Sequence, residues 1–373
     1  MRGTSAFMAD PLRHLAAWNQ DRRAIRQFEP GRYVVADGEL IRDVLASTTT
    51  PFEAKAATFG AVADWIPGSE RTRPLNAALA KELDRAWHAV SPERITEELE
   101  RSAGEPWPTA LSGLYLRLFK EQLFPGLTGK QQRLLRQALD FSNRLDRDDS
   151  TMLQLRRRIA HSQAEAALYD WAAGRQEPGD IQEAMQRVVN SMDEVALLLH
   201  GLVGALCRAT AMVMSWAALL DCGWTLGMPT GTTLKLEEPV HPAEYRVREA
   251  LRLWPVAWLI SRKVTQATTL SGTTLTPEDR LFLCTYLLHR DPDVWQDPDE
   301  YRPGRWENPP VGYKSVYLPF GFGAAACVGS RFVSQATARV LECWSALPDQ
   351  KATLLTQNPA MGSLLAPPVF KFN

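Results

Sequence analysis

The sequence carries almost no net charge. Its 42 Lys and Arg stand against 43 Asp and Glu, a formal net charge of −1, so no long-range field draws it to nucleic acid or anionic lipid. It also lacks a cysteine pairing pattern. Cys207, Cys222, Cys284, Cys327 and Cys343 are odd in number and show no CxxC or zinc spacing, which argues against a disulfide scaffold and for a reducing compartment. No internal repeat, low-complexity tract or proline- or serine-rich linker divides the chain. One domain over residues 1–373 is therefore expected, although the length suggests two or three. The first ten residues lack the apolar core of a signal peptide. Val195 to Leu220 is apolar enough to raise a membrane span, but His200 and Arg208 lie within it, and arginine is costly at a bilayer centre. The expectation is a buried helix in a cytoplasmic protein, with neither membrane nor nucleic acid as partner.

What is present is mostly helical pattern. Pro11 to Gln20, Leu40 to Ala46, the segment after Arg71-Thr72-Arg73 through Trp87, Ala110 to Phe124, Thr128 to Asn143 and Met152 to Ala173 read as helices. Ile181 onward leads into a long helix ending near Cys222-Gly223. Short strands are expected near Tyr33, Arg262, Thr273 and Leu281, with Asp37-Gly38 as a turn. Thr48 to Glu70 has no clear period. Arg156-Arg157-Arg158 points to different sides of its helix among balancing acids, which suits a solvated face.

The most informative stretch is Pro319-Phe320-Gly321-Phe322-Gly323-Ala324-Ala325-Ala326-Cys327-Val328-Gly329. It is too rich in glycine for a good helix and packs poorly as a strand. It suits a backbone folded tightly around something flat. A helical pattern follows, with Val333, Ala336, Val340 and Trp344 on one face. Unpaired N–H groups at a helix start favour a thiolate, and a thiolate there is a plausible axial ligand for haem iron. On the loop alone, a glycine-rich turn with a buried free cysteine stays open.

Together with Glu249, Arg252 and Tyr301-Arg302-Pro303-Gly304-Arg305-Trp306, this loop resembles the cytochrome P450 family, whose iron is held by a cysteine thiolate. Phe320, Gly321, Gly323, Cys327 and Gly329 match the family's loop. Ala325 stands where a basic residue is usual. The resemblance implies a mainly α, helix-rich triangular domain with a small β-sheet region, the haem-thiolate fold. It implies haem b, with Cys327 as the metal ligand and Phe320, Gly321, Gly329 and Ala205 around the cofactor. Arg71, Arg73 and Arg262 fall nearest the family's propionate-binding positions. Glu249, Arg252 and Arg305 correspond to the structural set in which two guanidiniums share one carboxylate. Val256, Ala257 and Leu364 correspond to substrate-lining positions.

The sequence departs from the family in the oxygen-activating helix. Ala205-Leu206-Cys207-Arg208-Ala209 aligns where an acid and an alcohol normally relay protons. Arg208 replaces the acid and Ala209 the alcohol, while Thr210 lies one position on, about 100° around the helix. Arg208, Ala209 and Thr210 are the catalytic candidates. Three chemistries follow: monooxygenation with a substitute proton source, peroxide use or substrate-carboxylate pairing at Arg208, and oxidative coupling. The expected role is natural-product tailoring of a small or peptide-derived substrate, with ferredoxin and ferredoxin reductase as electron donors. A non-catalytic haem sensor or carrier is the alternative of a different class.

Overall fold

In a computed structural model of the chain, the structure describes residues 6–21, 23–47, 51–54, 70, 72–145, 150–177 and 179–372. Helices of nine residues or more are α1 (Pro11–Asp21), α2 (Gly38–Ala46), α3 (Arg73–His88), α4 (Pro92–Arg101), α5 (Thr109–Leu123), α6 (Gly129–Leu145), α7 (Thr151–Ala173), α8 (Asp180–Val188), α9 (Met192–Val203), α10 (Thr210–Asp221), α11 (Ala243–Leu253) and α12 (Ser330–Ser345). A π-helical segment, Gly204–Ala209, joins α9 to α10 without a break.

The main sheet has five strands, β1 (Ile25–Glu29), β2 (Arg32–Val35), β3 (Phe52–Ala54), β4 (Leu259–Val264) and β5 (Arg280–Cys284), in the order β1-β2-β5-β4-β3. Only β2 and β5 pair in parallel. The sheet brings the start of the chain against the segment that follows α11. The expected strands at Tyr33, Arg262, Thr273 and Leu281 are all present.

One expectation changes, and the long helix gains a defined start. Asp37 is a helix cap instead of half a turn: its Oδ1 accepts the Leu40 N–H at 2.9 Å, and Gly38 already begins α2. The lead-in from Ile181 is a helix of its own, α8. It stops at Val189, and the long helix starts at a capping box, where Ser191 Oγ accepts the Glu194 N–H and Glu194 Oε2 accepts the Asn190 N–H. Of the aperiodic stretch Thr48 to Glu70, residues 51–54 and 70 are described, and the first of these include edge strand β3. The rest, like Arg71, lies outside the described residues.

The apolar stretch from Val195 to Leu220 is the core helix of the fold. Every residue from Thr210 to Leu220 is buried. The Trp216 ring stacks on Trp254 of the α11 end at 4.4 Å, and its Nε1–H donates to Leu365 O at 3.1 Å. This central helix therefore packs against α11, which carries Glu249, and α12, which follows the cysteine loop.

Candidate active site

The cysteine loop closes on itself before α12 begins. Cys327 N–H donates to Phe320 O at 2.9 Å, and Gly321 N–H donates to Leu318 O at 3.1 Å. Gly321 has φ +75° and Gly323 φ +72°, conformations that side chains rarely adopt. A Cβ on Gly323 would also come within 3.3 Å of Leu45 O, so the loop lies directly on the end of α2. Phe320 packs against the main core, and the Arg42 guanidinium covers the Phe322 ring at 4.6 Å.

Cys327 is exposed even though protein surrounds most of its sulphur. Burial raises its thiol pKa, and the Gly329 N–H acts in the opposite direction. The helix-start argument for a thiolate is thus outweighed by desolvation in the free thiol. A coordinating metal reverses that balance, because it takes the place of the proton.

The loop is delivered by a hub around Glu249. Oε1 accepts Arg252 Nη2–H at 2.8 Å, Arg305 Nε–H at 2.9 Å and the Arg302 backbone N–H at 3.1 Å. Oε2 accepts Arg252 Nε–H and Trp306 Nε1–H, each at 3.0 Å. Glu249 and Arg252 are fully buried, so the carboxylate needs this full set of donors. Arg252 Nη1 also donates to His289 O and Pro298 O, which fixes the chain on its way to the loop. Sequence reasoning found the three charged residues but missed Trp306 and the Arg302 N–H. The indole lies within the quoted Tyr301–Trp306 run, but nothing in its spacing marks it as a donor.

His289 was also missed as a functional strut. Its buried ring sets Nδ1 3.3 Å from both Leu251 O and Arg252 O, and its Nε2 accepts the Leu318 N–H at 2.9 Å. Burial and the Arg252 guanidinium lower its pKa to about 3, so the ring is neutral.

Arg262, in β4, is buried, and its Nη1 donates to Ser261 O. Its buried Nε has no hydrogen-bond partner among the described residues. Desolvation lowers its pKa. A guanidinium in that setting calls for an anion, and a haem propionate meets the need. With the exposed thiol and the small-residue cradle, the residues present fit a thiolate-bound haem. Arg73 is exposed at the start of α3.

On the other side, Val256 is buried, while Ala257 and Leu364 are partly so. Ala205 is exposed and Ala209 half-buried on the π segment, and each side chain is a methyl group that can neither donate nor accept a proton. Thr210 is fully buried, and its Oγ1 has no partner among the described residues. Arg208 turns toward α6, where its Nε–H donates to Asn143 Oδ1 at 3.2 Å.

Comparison with known proteins agrees with this geometry. Residues 243–372 match the family model described as Cytochrome P450. Cyclooctatin synthase of Streptomyces melanosporofaciens is 43% identical over 86 residues, covering 22% of this chain and 19% of that protein. Lithocholate 6-beta-hydroxylase of Mesocricetus auratus is 38% identical over 88 residues, covering 23% and 18%. These matches span about a fifth of the length of the curated relatives. The ligand-free structure of cytochrome P450 TbtJ1 superposes with a TM-score of 0.72 at 14% identity, covering 100% of both chains. The haem domain of cytochrome P450DA superposes at 0.67 and 14% identity, covering 97% of this chain and 92% of the other. The fold expected from the sequence is the fold observed. The matched segment holds Glu249, Arg262, Arg305 and Cys327, but not residues 205–210.

Proposed function

We propose that this chain, a member of the cytochrome P450 family by its fold and by its match over residues 243–372, is a cytoplasmic haem-thiolate oxidoreductase of a small organic or peptide-derived substrate. The observation that carries the reading is the exposed Cys327 thiol in a loop braced by the saturated Glu249 carboxylate. When bound, the haem supplies oxidising chemistry that protein side chains lack. Cys327 would hold the iron, and Arg262 would hold a propionate through its unpartnered Nε–H. Phe320, Gly321 and Gly329 would shape the backbone beneath the ring. Ala205 and Ala209 would border the reacting side, and Val256, Ala257 and Leu364 would orient the substrate.

Natural-product tailoring by monooxygenation is the favoured role, with ferredoxin and its reductase as electron donors. One observation favours a second reading, oxidative coupling or peroxide use. The exposed face of the π segment carries Ala205 and Ala209, and Thr210 is buried away from it. No side chain of Ala205 or Ala209 can hold a proton there.

The test is the carbon monoxide spectrum of the reduced, haem-loaded protein. Wild type should give the red-shifted thiolate band, and Cys327→His should keep some haem and lose that band. Survival of the band in Cys327→His would sink the assignment. Turnover that depends on substrate separates an enzyme from a haem sensor or carrier.

A further inference from the structure

We propose that His161, Glu165 and His200 form a binding site for one divalent transition-metal ion of the zinc class. His161 and Glu165 are four residues apart on α7 and so share a face. His200 comes from α9, which packs against that face. One ligand atom from each of the three lies within 4.8 Å of the other two. His200 Nδ1 is 3.3 Å from Glu165 Oε1, and the two imidazoles meet edge to face with centroids 4.7 Å apart.

Ligand atoms on a tetrahedral ion at about 2.1 Å stand about 3.4 Å from one another. The His200–Glu165 pair already has that spacing, and side-chain rotation supplies the rest. All three residues are half-buried, which leaves a fourth position open to water. Ser142 steadies one ligand. Its hydroxyl hydrogen goes to Ala138 O, so the oxygen accepts from His161 Nε2–H at 2.8 Å. With Nε2 spent on that bond, Nδ1 is the His161 nitrogen left for a metal, an outer-shell arrangement common at histidine sites.

The donor set selects the ion. Two imidazoles and one carboxylate suit zinc, copper or nickel, whereas calcium and magnesium require oxygen ligands. Arg157 and Arg208 stand near enough to act on the imidazoles electrostatically. They oppose any cation at this point, so donor bonds to the two imidazoles and the carboxylate must offset that repulsion. His200 precedes the π segment by one helical turn, so the ion would tie α7 to the central helix at that point. None of the three ligands belongs to the haem-thiolate set.

The test is equilibrium dialysis of the haem-loaded protein against micromolar zinc chloride, with zinc measured separately from iron. Wild type should retain one zinc per chain. His161→Gln, Glu165→Gln and His200→Gln should each weaken binding by more than about tenfold. Zinc should raise the melting temperature of wild type and leave that of the variants unchanged. A wild-type chain that retains no zinc overturns the proposal without any variant. So does unchanged binding in the His161→Gln/His200→Gln pair. The thiolate band of the carbon monoxide complex should persist in every variant, which reports the fold and keeps this outcome separate from that of the haem reading.

Discussion

His289 Nε2 accepts the backbone N–H of Leu318 at 2.9 Å, while Nδ1 of the same ring faces the last carbonyls of α11. One neutral imidazole therefore joins the helix that carries Glu249 to the segment that enters the cysteine loop. Protonation would turn the accepting nitrogen into a donor aimed at another N–H.

That arrangement sets a pH dependence. The His289 pKa is about 3 in the folded chain, well below the ordinary 6.5 of a free imidazole, so the unfolded chain binds the proton more readily. The stabilisation is fully present above about 6.5 and is lost as the pH falls toward 3. The loss is on the order of 1.4 kcal/mol per pH unit for a single group. Urea midpoints measured between pH 7 and 4 should fall, and the slope should be shallower in His289→Gln. An equal slope in both proteins would remove His289 from the account.

Arg262 gives a second expectation. Its guanidinium is desolvated, and its Nε lacks a partner among the described residues. Arg262→Leu should therefore leave the haem-free chain as stable as wild type or more so, because an uncompensated buried charge is removed. Haem should then dissociate faster from the variant, as measured by transfer to an acceptor globin. Loss of stability in the haem-free chain together with an unchanged haem off-rate would make Arg262 a structural residue.

Much of this was legible in the sequence because it is local. The glycine-rich run announces a tightly folded backbone, and the apolar run announces a core helix. The Glu249 pairing with Arg305 spans 56 residues and was readable only through a resemblance. The partners of Trp306 and His289, and the meeting of His200 with the His161–Glu165 pair, were not readable. These partners are backbone groups or residues on separate helices, and no periodicity encodes such meetings. Arg208 misleads for a related reason: its position on the helix was clear, but its direction is set by Asn143 on a neighbouring one.

The electron donor is testable through charge. Arg331 and Arg339 lie on α12, the helix after the cysteine loop, and are candidate contacts for an acidic ferredoxin. They differ in availability. The Arg331 side chain is 71% exposed, with Asp84 3.6 Å away, whereas the Arg339 guanidinium lies over the Trp87 ring at 5.2 Å. Turnover with ferredoxin, its reductase and a nicotinamide cofactor should weaken as salt is added. Arg331→Gln should raise the KM for ferredoxin more than Arg339→Gln does. Salt-independent turnover would argue for a different docking face.

The last expectation concerns the proton supply. Ala205 and Ala209 are accessible on the π segment, Thr210 is fully buried, and the Arg208 Nε–H donates to Asn143. Ala209→Thr would place a hydroxyl on that segment one turn from Ala205. The substitution adds a β-branched residue to a helix, at a cost of a few tenths of a kcal/mol, so the fold should tolerate it. If proton delivery limits monooxygenation, the variant should convert a larger share of consumed nicotinamide cofactor into product and release less hydrogen peroxide. Both quantities can be read from the same turnover assay. A variant that folds, keeps the thiolate band and shows unchanged coupling would mean that the reaction needs no alcohol there. Oxidative coupling, in which hydrogen is abstracted from two positions of the substrate and a bond forms between them instead of oxygen being inserted, would then be the better account of this departure from the family pattern.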